Sequence, residues 1–153
     1  MFSRSPSKRQ QIESQLARGS ILHMGLHDEK GFFIQPVSYG FAMNPEEVVL
    51  YFCAEKRGRK YEVYRQTPDV SVLIDHLSGY KIDVDHYAPC FESLRAQGTV
   101  REVTGRQKEK ALFALLSHCG FDAGQIGFDN ILNDPHLGFY AIELREIVTK
   151  KNV

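Results

Sequence analysis

The sequence predicts an α+β domain: an antiparallel β-barrel, closed or nearly closed, of about six strands with two or three helices beside it. Strand-like runs of β-branched and aromatic residues follow one another with only short turns between them, which leaves no room for parallel crossovers. Helical periodicity is confined to a few stretches that stand apart from the strands instead of alternating with them. The 153 residues hold no repeat and no low-complexity linker, so a single domain, 1–153, accounts for the chain.

Ser5-Pro6 offers a capping hydroxyl before a proline, and Ile12 and Leu16 recur at i, i+4 until Gly19, which predicts a short amphipathic helix on the outside of a sheet. Ser20–His27 and Phe32–Phe41 are apolar runs joined by Asp28-Glu29-Lys30-Gly31, the chemistry of a hairpin. Asn44-Pro45-Glu46-Glu47 then turns the chain into a third strand, Val48–Cys53. A helix near Arg59–Gln66 ends at Thr67-Pro68, and Val70–Asp75 supplies a fourth strand. The polar stretch His76–Pro89 reads as a loop before the long strand Phe91–Val103, where Gly98 marks a bulge or a close backbone approach. Thr104 with Gln107 has the spacing of a capping box. It opens a helix whose Ala111, Leu112, Leu115 and Leu116 share one face and which stops near Cys119-Gly120. A loop rich in Gly, Asp and Asn leads to a last strand, Leu137–Val148.

Composition excludes several function classes. Nineteen basic and nineteen acidic residues balance, so no global field draws nucleic acid or anionic lipid, and an anion site must be built locally. Cys53, Cys90 and Cys119 form no CxxC pair and are odd in number, against a disulfide framework or a cysteine zinc site and in favour of a reducing cytoplasm. The N-terminus lacks the apolar core of a secretion signal, and no stretch approaches the roughly 20 apolar residues of a membrane-spanning helix. Asp75, His76, Asp83, Asp85, His86 and Cys90 follow no ligand spacing, so they read as polar surface and no metal is expected. His23 and His27 alternate with Met24 and Leu26 and share the other face of their strand, as partly exposed structural residues or as the lining of a pocket.

The most informative stretch is Ala54–Pro68, AEKRGRKYEVYRQTP, directly after the third strand. Lys56, Arg57, Arg59 and Lys60 surround Gly58, which lets a backbone approach a ligand closely, and a helix start presents unpaired N–H groups. Together these suit a phosphate. The same four cations also suit a solvated loop. Nucleic acid is the weaker partner for them, because Tyr61 and Tyr64 fall on a helix and not on an exposed sheet platform.

Four blocks carry a resemblance: ILHMGLHDEKGFFIQPVSYGF, LYFCAEKRGRKYEVYRQTPDVSVLI, CFESLRAQGTVREV and KEKALFALLSHCG. From about Arg18 to Lys150 the chain resembles the FMN-binding split-barrel proteins, the pyridoxamine 5'-phosphate oxidase-like superfamily, and within it the nitroimidazole-resistance branch. The resemblance implies a split barrel and bound FMN. Gly58-Arg59-Lys60 stands where the oxidases carry Ser-Arg-Lys, whose basic side chains clasp the FMN phosphate, and Thr67-Pro68 matches the Asn-Pro that closes the same helix. Gln35, Pro36, Val37, Ser38 and Tyr39 fall on the strand along which relatives lay the flavin ring, mostly against backbone atoms. Cys53 and Ala54 match positions beside the ribityl chain, and Ser93 a polar position near the ring or phosphate.

Two departures bear on function. No basic residue near Phe33-Ile34 matches the one the oxidases place before the ring-binding strand, and their C-terminal substrate-binding block has no counterpart. The resemblance therefore implies a chemistry other than vitamin B6 oxidation. Glycine in place of serine at position 58 also removes a hydroxyl from the phosphate site and lowers the affinity expected for FMN. With a flavin the protein need supply no acid, base or nucleophile of its own, which agrees with the lack of a catalytic constellation. A small barrel has little interior for a tricyclic ring, and relatives close an outer groove with a second subunit, so the expectation is a homodimer acting on a small nitroaromatic or quinone-like molecule. A protein that holds flavin or haem in the same barrel without turnover is the alternative.

Overall fold

In the computed structural model, which describes residues 7–122 and 127–152, seven antiparallel strands form one sheet in the order β2-β1-β5-β6-β7-β4-β3. The strands are β1 (Ile21–Asp28), β2 (Gly31–Ser38), β3 (Gly40–Met43), β4 (Val48–Glu55), β5 (Asp69–Asp83), β6 (His86–Glu102) and β7 (Leu137–Asn152). The helices are α1 (Lys8–Arg18), α2 (Gly58–Gln66), α3 (Arg106–His118) and α4 (Phe128–Leu132). The sheet curls until β2 meets β4 without a hydrogen-bonded ladder between them, so the α+β split barrel holds. Its count is seven strands and four helices where about six and two or three were expected.

The extra strand arises at Tyr39. Its side chain is fully buried and its hydroxyl donates to the Leu16 carbonyl at 2.6 Å, which interrupts the run Phe32–Phe41 and starts β3 on a new course against β4. The stretch His76–Pro89 is not a loop. β5 and β6 continue through it as a ribbon in register from Gly79↔Cys90 to Asp83↔His86, with a bulge at Ser78. Gly98 is a close approach: a Cβ there would lie 2.4 Å from Ile142 Cγ2. The register shift falls just before it, between Arg95 and Gln97.

Two caps also differ from expectation. Ser5-Pro6 lies outside the described residues, and Ser7 makes the capping box of α1, its Oγ accepting from the Gln10 amide while its own amide donates to Gln10 Oε1. For α3 the N-cap is Gly105 at φ 61°, not Thr104, because the Val103 amide still donates to the Phe139 carbonyl and keeps the chain in the sheet. Gln107 instead accepts from Arg101.

The barrel interior is filled by alternate residues of its strands, among them Leu22, Met24, Leu26, Leu50, Phe52, Val72, Ile74 and Leu94. α1 inserts Ile12 and Leu16 into that same cluster, so it is not confined to the outside of a sheet, and Arg18 ties it to β6 through buried Glu92 at 2.6 Å. A second cluster forms where Ala111, Leu112 and Leu116 of α3 cover Val49 and Tyr51 of β4 and Phe139 and Ala141 of β7.

Candidate functional site

α2 is set by its own apolar pair. Val63 and Tyr64 are buried in the barrel cluster, with the Tyr64 ring 5.4 Å from Phe52 and 4.9 Å from Tyr140, and burial pushes the Tyr64 hydroxyl up to about 12. Thr67 closes the helix and its hydroxyl donates to the His27 carbonyl at 2.9 Å, which fixes the last turn of α2 against β1. Gly58 starts the helix at φ +84°, with open space where a Cβ would stand. No side chain caps this N-terminus and its first turn holds no acidic residue. Its leading N–H groups therefore favour an anion.

A cleft of about 470 Å³ opens between α2 and the β1–β2 turn, lined by Asp28, Lys30, Gly58, Arg59, Glu62 and Thr67 among others. Arg59 lies across it. Its Nε and Nη2 donate to the two Asp28 carboxylate oxygens at 2.6 and 2.7 Å, and its guanidinium carbon sits 4.0 Å from the centroid of the Phe33 ring. The Arg59 hydrogen bond, aided by the Lys30 amide against some desolvation, lowers the Asp28 carboxyl to about 2. Lys56 pairs with Glu102 at 3.1 Å and Arg57 with Glu55. Lys60, half-buried, has no ion pair among the described residues and is the uncommitted cation of the four.

The other sequence-derived positions distribute along the barrel. Gln35 and Val37 share the face of Phe33 and are half-buried at the open edge of β2; Pro36 and Ser38 point to the outer face and are exposed. Tyr39 is committed to the core, so its side chain does not face the cleft. Ala54 is buried inside the barrel, while Cys53 points the other way, towards the α3 cluster, where burial, with Asp134 adding, pushes its thiol up. Ser93 lies on β6 opposite Asp75 and Lys150 and does not line the cleft. Within one chain, Gly58 and Arg59 meet directly in the cleft. Phe33 carries the arrangement onto β2 towards Gln35 and Val37.

Asp28 and Phe33 were missed as site residues. Asp28 reads locally as a turn residue, and nothing in the sequence joins it to a cation 31 positions away. Their signal was available only in pairing: the register Asp28↔Gly31 and Leu26↔Phe33 places both beside the start of α2.

The family model for pyridoxamine 5'-phosphate oxidase matches residues 8–150, nearly the whole chain. The chain belongs to this family. No curated protein sequence matches it. Among solved structures, a candidate 5-nitroimidazole antibiotic resistance protein from Bacteroides thetaiotaomicron superposes with a TM-score of 0.76 at 19% identity, over 94% of this chain and 84% of that one. A FAD-binding protein from Mesorhizobium loti gives 0.67 at 15% identity, with both chains covered in full. The FAD and heme binding protein from Mycobacterium smegmatis gives 0.70 at 13% identity, over 97% of this chain and 72% of that one. At these identities the likeness is one of fold. The family assignment rests on the sequence model.

Proposed function

We propose that this family member is an FMN-binding flavoprotein that reduces a small nitroaromatic or quinone-like molecule as a homodimer in a reducing cytoplasm. The observation that carries the reading is the uncapped start of α2, where Gly58 opens the backbone and lines a cleft with Arg59, and where Lys60 follows in the helix without lining that cleft. These groups fit a phosphate monoester: unpaired N–H donors, one uncommitted ammonium, and a guanidinium already positioned over Phe33. Lys60 and the helix start would hold the phosphate, and Arg59 would join them by exchanging Asp28 for the ligand. Gln35 and Val37 offer the neighbouring edge of β2 to the ring. Bound there, the isoalloxazine supplies hydride and electron transfer. Cys53, Cys90 and Cys119 are free thiols, which suits a reducing compartment.

A second reading, haem binding without turnover, is favoured by His23. It is half-buried on the outer face of β1 between Pro36 and Leu73, its Nδ1 is buried without a partner among the described residues, and some solved structures of this fold are named for haem.

The visible spectrum of the purified protein, before and after addition of FMN, tests both. A flavin band bleached by NAD(P)H and restored by a nitroaromatic supports the first reading. A Soret band with no flavin replaces it with the second.

A further inference from the structure

A second cavity lies against α1. It encloses about 370 Å³ between α1, β6 and the last residues of β7, and no residue that lines it also lines the cleft at α2. Its walls are polar throughout, with Gln10, Ser14, Gln15, Glu92, Thr149 and Lys151 among them. Two hydrogen bonds tie α1 to β7 along this wall: Gln15 Nε2 donates to the Lys150 carbonyl at 3.2 Å, and Thr149 Oγ1 donates to Gln11 Oε1 at 3.1 Å. The cavity is thus held in shape by its own lining.

Glu92 is the most buried of the lining residues, 5% exposed. Its side chain follows the inward alternation of Leu94 and Ala96, whereas Ser93 beside it faces the other side of the sheet. Oε1 accepts from Arg18 at 2.6 Å and from Lys151 at 3.3 Å. Oε2 is buried with no partner among the described residues. Burial opposes ionisation of this carboxyl, but the Arg18 and Lys151 hydrogen bonds outweigh it and hold the group below the ordinary carboxylate value. An ion pair serving only to anchor α1 would engage both oxygens, as Arg59 does with Asp28. Here one oxygen of a buried anion is left over, and an unpaired buried acceptor calls for an explanation.

We infer that this cavity binds a free α-amino acid, whose ammonium donates to Glu92 Oε2 while its carboxylate accepts from Lys151. Of the two cations that share Oε1, Lys151 holds it at the longer distance, and its side chain is 58% exposed on a flexible stem, so it is the one able to turn to a ligand. Oε2 and the Lys151 ammonium stand beside one and the same carboxylate. They offer opposite charges close together, as an α-amino acid carries its own. A neutral polyol would find hydroxyls and amides here but would bring no charge to the anion. A simple cation would meet Arg18 and Lys151 with nothing to offset their repulsion. The zwitterion answers both, and Gln10 and Ser14 suit a polar side chain. The inference makes no use of the flavin reading.

The test is calorimetric titration of the purified protein with L-glutamine and L-serine, beside N-acetyl-L-glutamine, which lacks the ammonium, L-glutamine α-amide, which lacks the carboxylate, and D-glucose. At least one of the two amino acids is expected to bind with a dissociation constant of about 1 mM or tighter. Both blocked forms of glutamine are expected to bind at least ~10-fold more weakly than glutamine itself, each having lost one charged hydrogen-bonding group. Lys151→Ala is expected to weaken binding by a similar factor, and Ser14→Trp, which fills the cavity from an exposed position on α1, to abolish it. Circular dichroism checks that both variants keep the fold. Glu92→Gln keeps the volume and removes the charge, and is expected to lose binding as well; if it unfolds, the two exposed variants decide. No binding of either amino acid, equal binding of the blocked forms, an unchanged affinity in Ser14→Trp, or binding of D-glucose in place of the amino acids overturns the inference.

Discussion

Arg59 and Asp28 are joined at two points, Nε to Oδ2 at 2.6 Å and Nη2 to Oδ1 at 2.7 Å, across the cleft where the start of α2 meets the β1–β2 turn. The guanidinium is thereby held over the Phe33 ring, its carbon 4.0 Å from the centroid, and lines the cleft already oriented. A carboxylate also occupies the fork that a phosphate would take. Positioning and competition come from the same residue, and they predict opposite effects of removing different groups.

Loss of both cations removes two charge-assisted hydrogen-bonding groups, each worth roughly 1.5–3 kcal/mol. Arg59→Ala with Lys60→Ala is expected to weaken FMN binding by at least ~100-fold. Fluorescence titration of FMN reads this directly. An unchanged dissociation constant would remove phosphate clasping at α2 from the account.

Asp28→Asn keeps the shape of the turn and deletes the rival charge. FMN affinity is expected to rise, by about 10-fold, since Arg59 then meets the phosphate without surrendering a carboxylate. A fall in affinity would mean that orientation of Arg59 by Asp28 outweighs competition for it.

The same pair fixes a pH signature. Asp28 titrates at about 2 in the fold against 3.8 for a free side chain, lowered chiefly by the Arg59 hydrogen bond. A depressed carboxyl stabilises the fold above its unfolded value and loses that contribution as pH falls through the folded one. The difference in melting temperature between wild type and Asp28→Asn is therefore expected to be constant above about pH 4 and to shrink steadily towards pH 2. A difference that persists unchanged at pH 2 would contradict the pair as its source.

Two glycines separate steric need from conformational need. A Cβ on Gly40 would lie 2.3–2.4 Å from the backbone of Ala114 and Leu115, so β3 and α3 must part to admit it. Gly40→Ala is expected to cost about 2–4 kcal/mol. Gly58 has φ +84° with open space around the missing Cβ, so Gly58→Ala meets only backbone strain, about 1–2 kcal/mol. Urea denaturation orders the two, and the reverse order would mean that α3 does not pack on β3 this closely.

The sequence made the barrel and the start of α2 legible because each is written locally. Val48–Cys53 is a continuous apolar run, and the cations around Gly58 follow it directly. What escaped was written in pairings. One side of the ribbon is Tyr80 and Ile82 on one strand and Tyr87 and Pro89 on the other, alternating with Lys81, Asp83, His86 and Ala88, a short period-two pattern that the Gly, Asp and His residues around it outweigh until the register is known. The bulge at Ser78 shifts the alternation midway and hides it further. Asp28 offers a turn's chemistry and gives no hint of Arg59. Tyr39 extends an apparent strand, and only the Leu16 carbonyl in contact with its hydroxyl explains why the strand stops there.

Tyr39 decides how far the segment of β2 proposed to face the flavin extends. Its hydroxyl donates to the Leu16 carbonyl at 2.6 Å in a fully buried setting, and that burial, with a contribution from Cys119, raises its ionisation well above the ordinary tyrosine value. Tyr39→Phe leaves the ring in place against His118, 4.5 Å away, and strands the Leu16 carbonyl where α1 ends against the barrel. The expected loss is about 1–2 kcal/mol of stability, the usual cost of one unmade buried hydrogen bond. FMN affinity is expected to stay within about two-fold, because the side chain serves the core and not the cleft. Chemical denaturation and flavin titration of the same variant separate the two roles. A large fall in FMN affinity with stability unchanged would return Tyr39 to the ring-binding strand and shift the site towards the far end of β2.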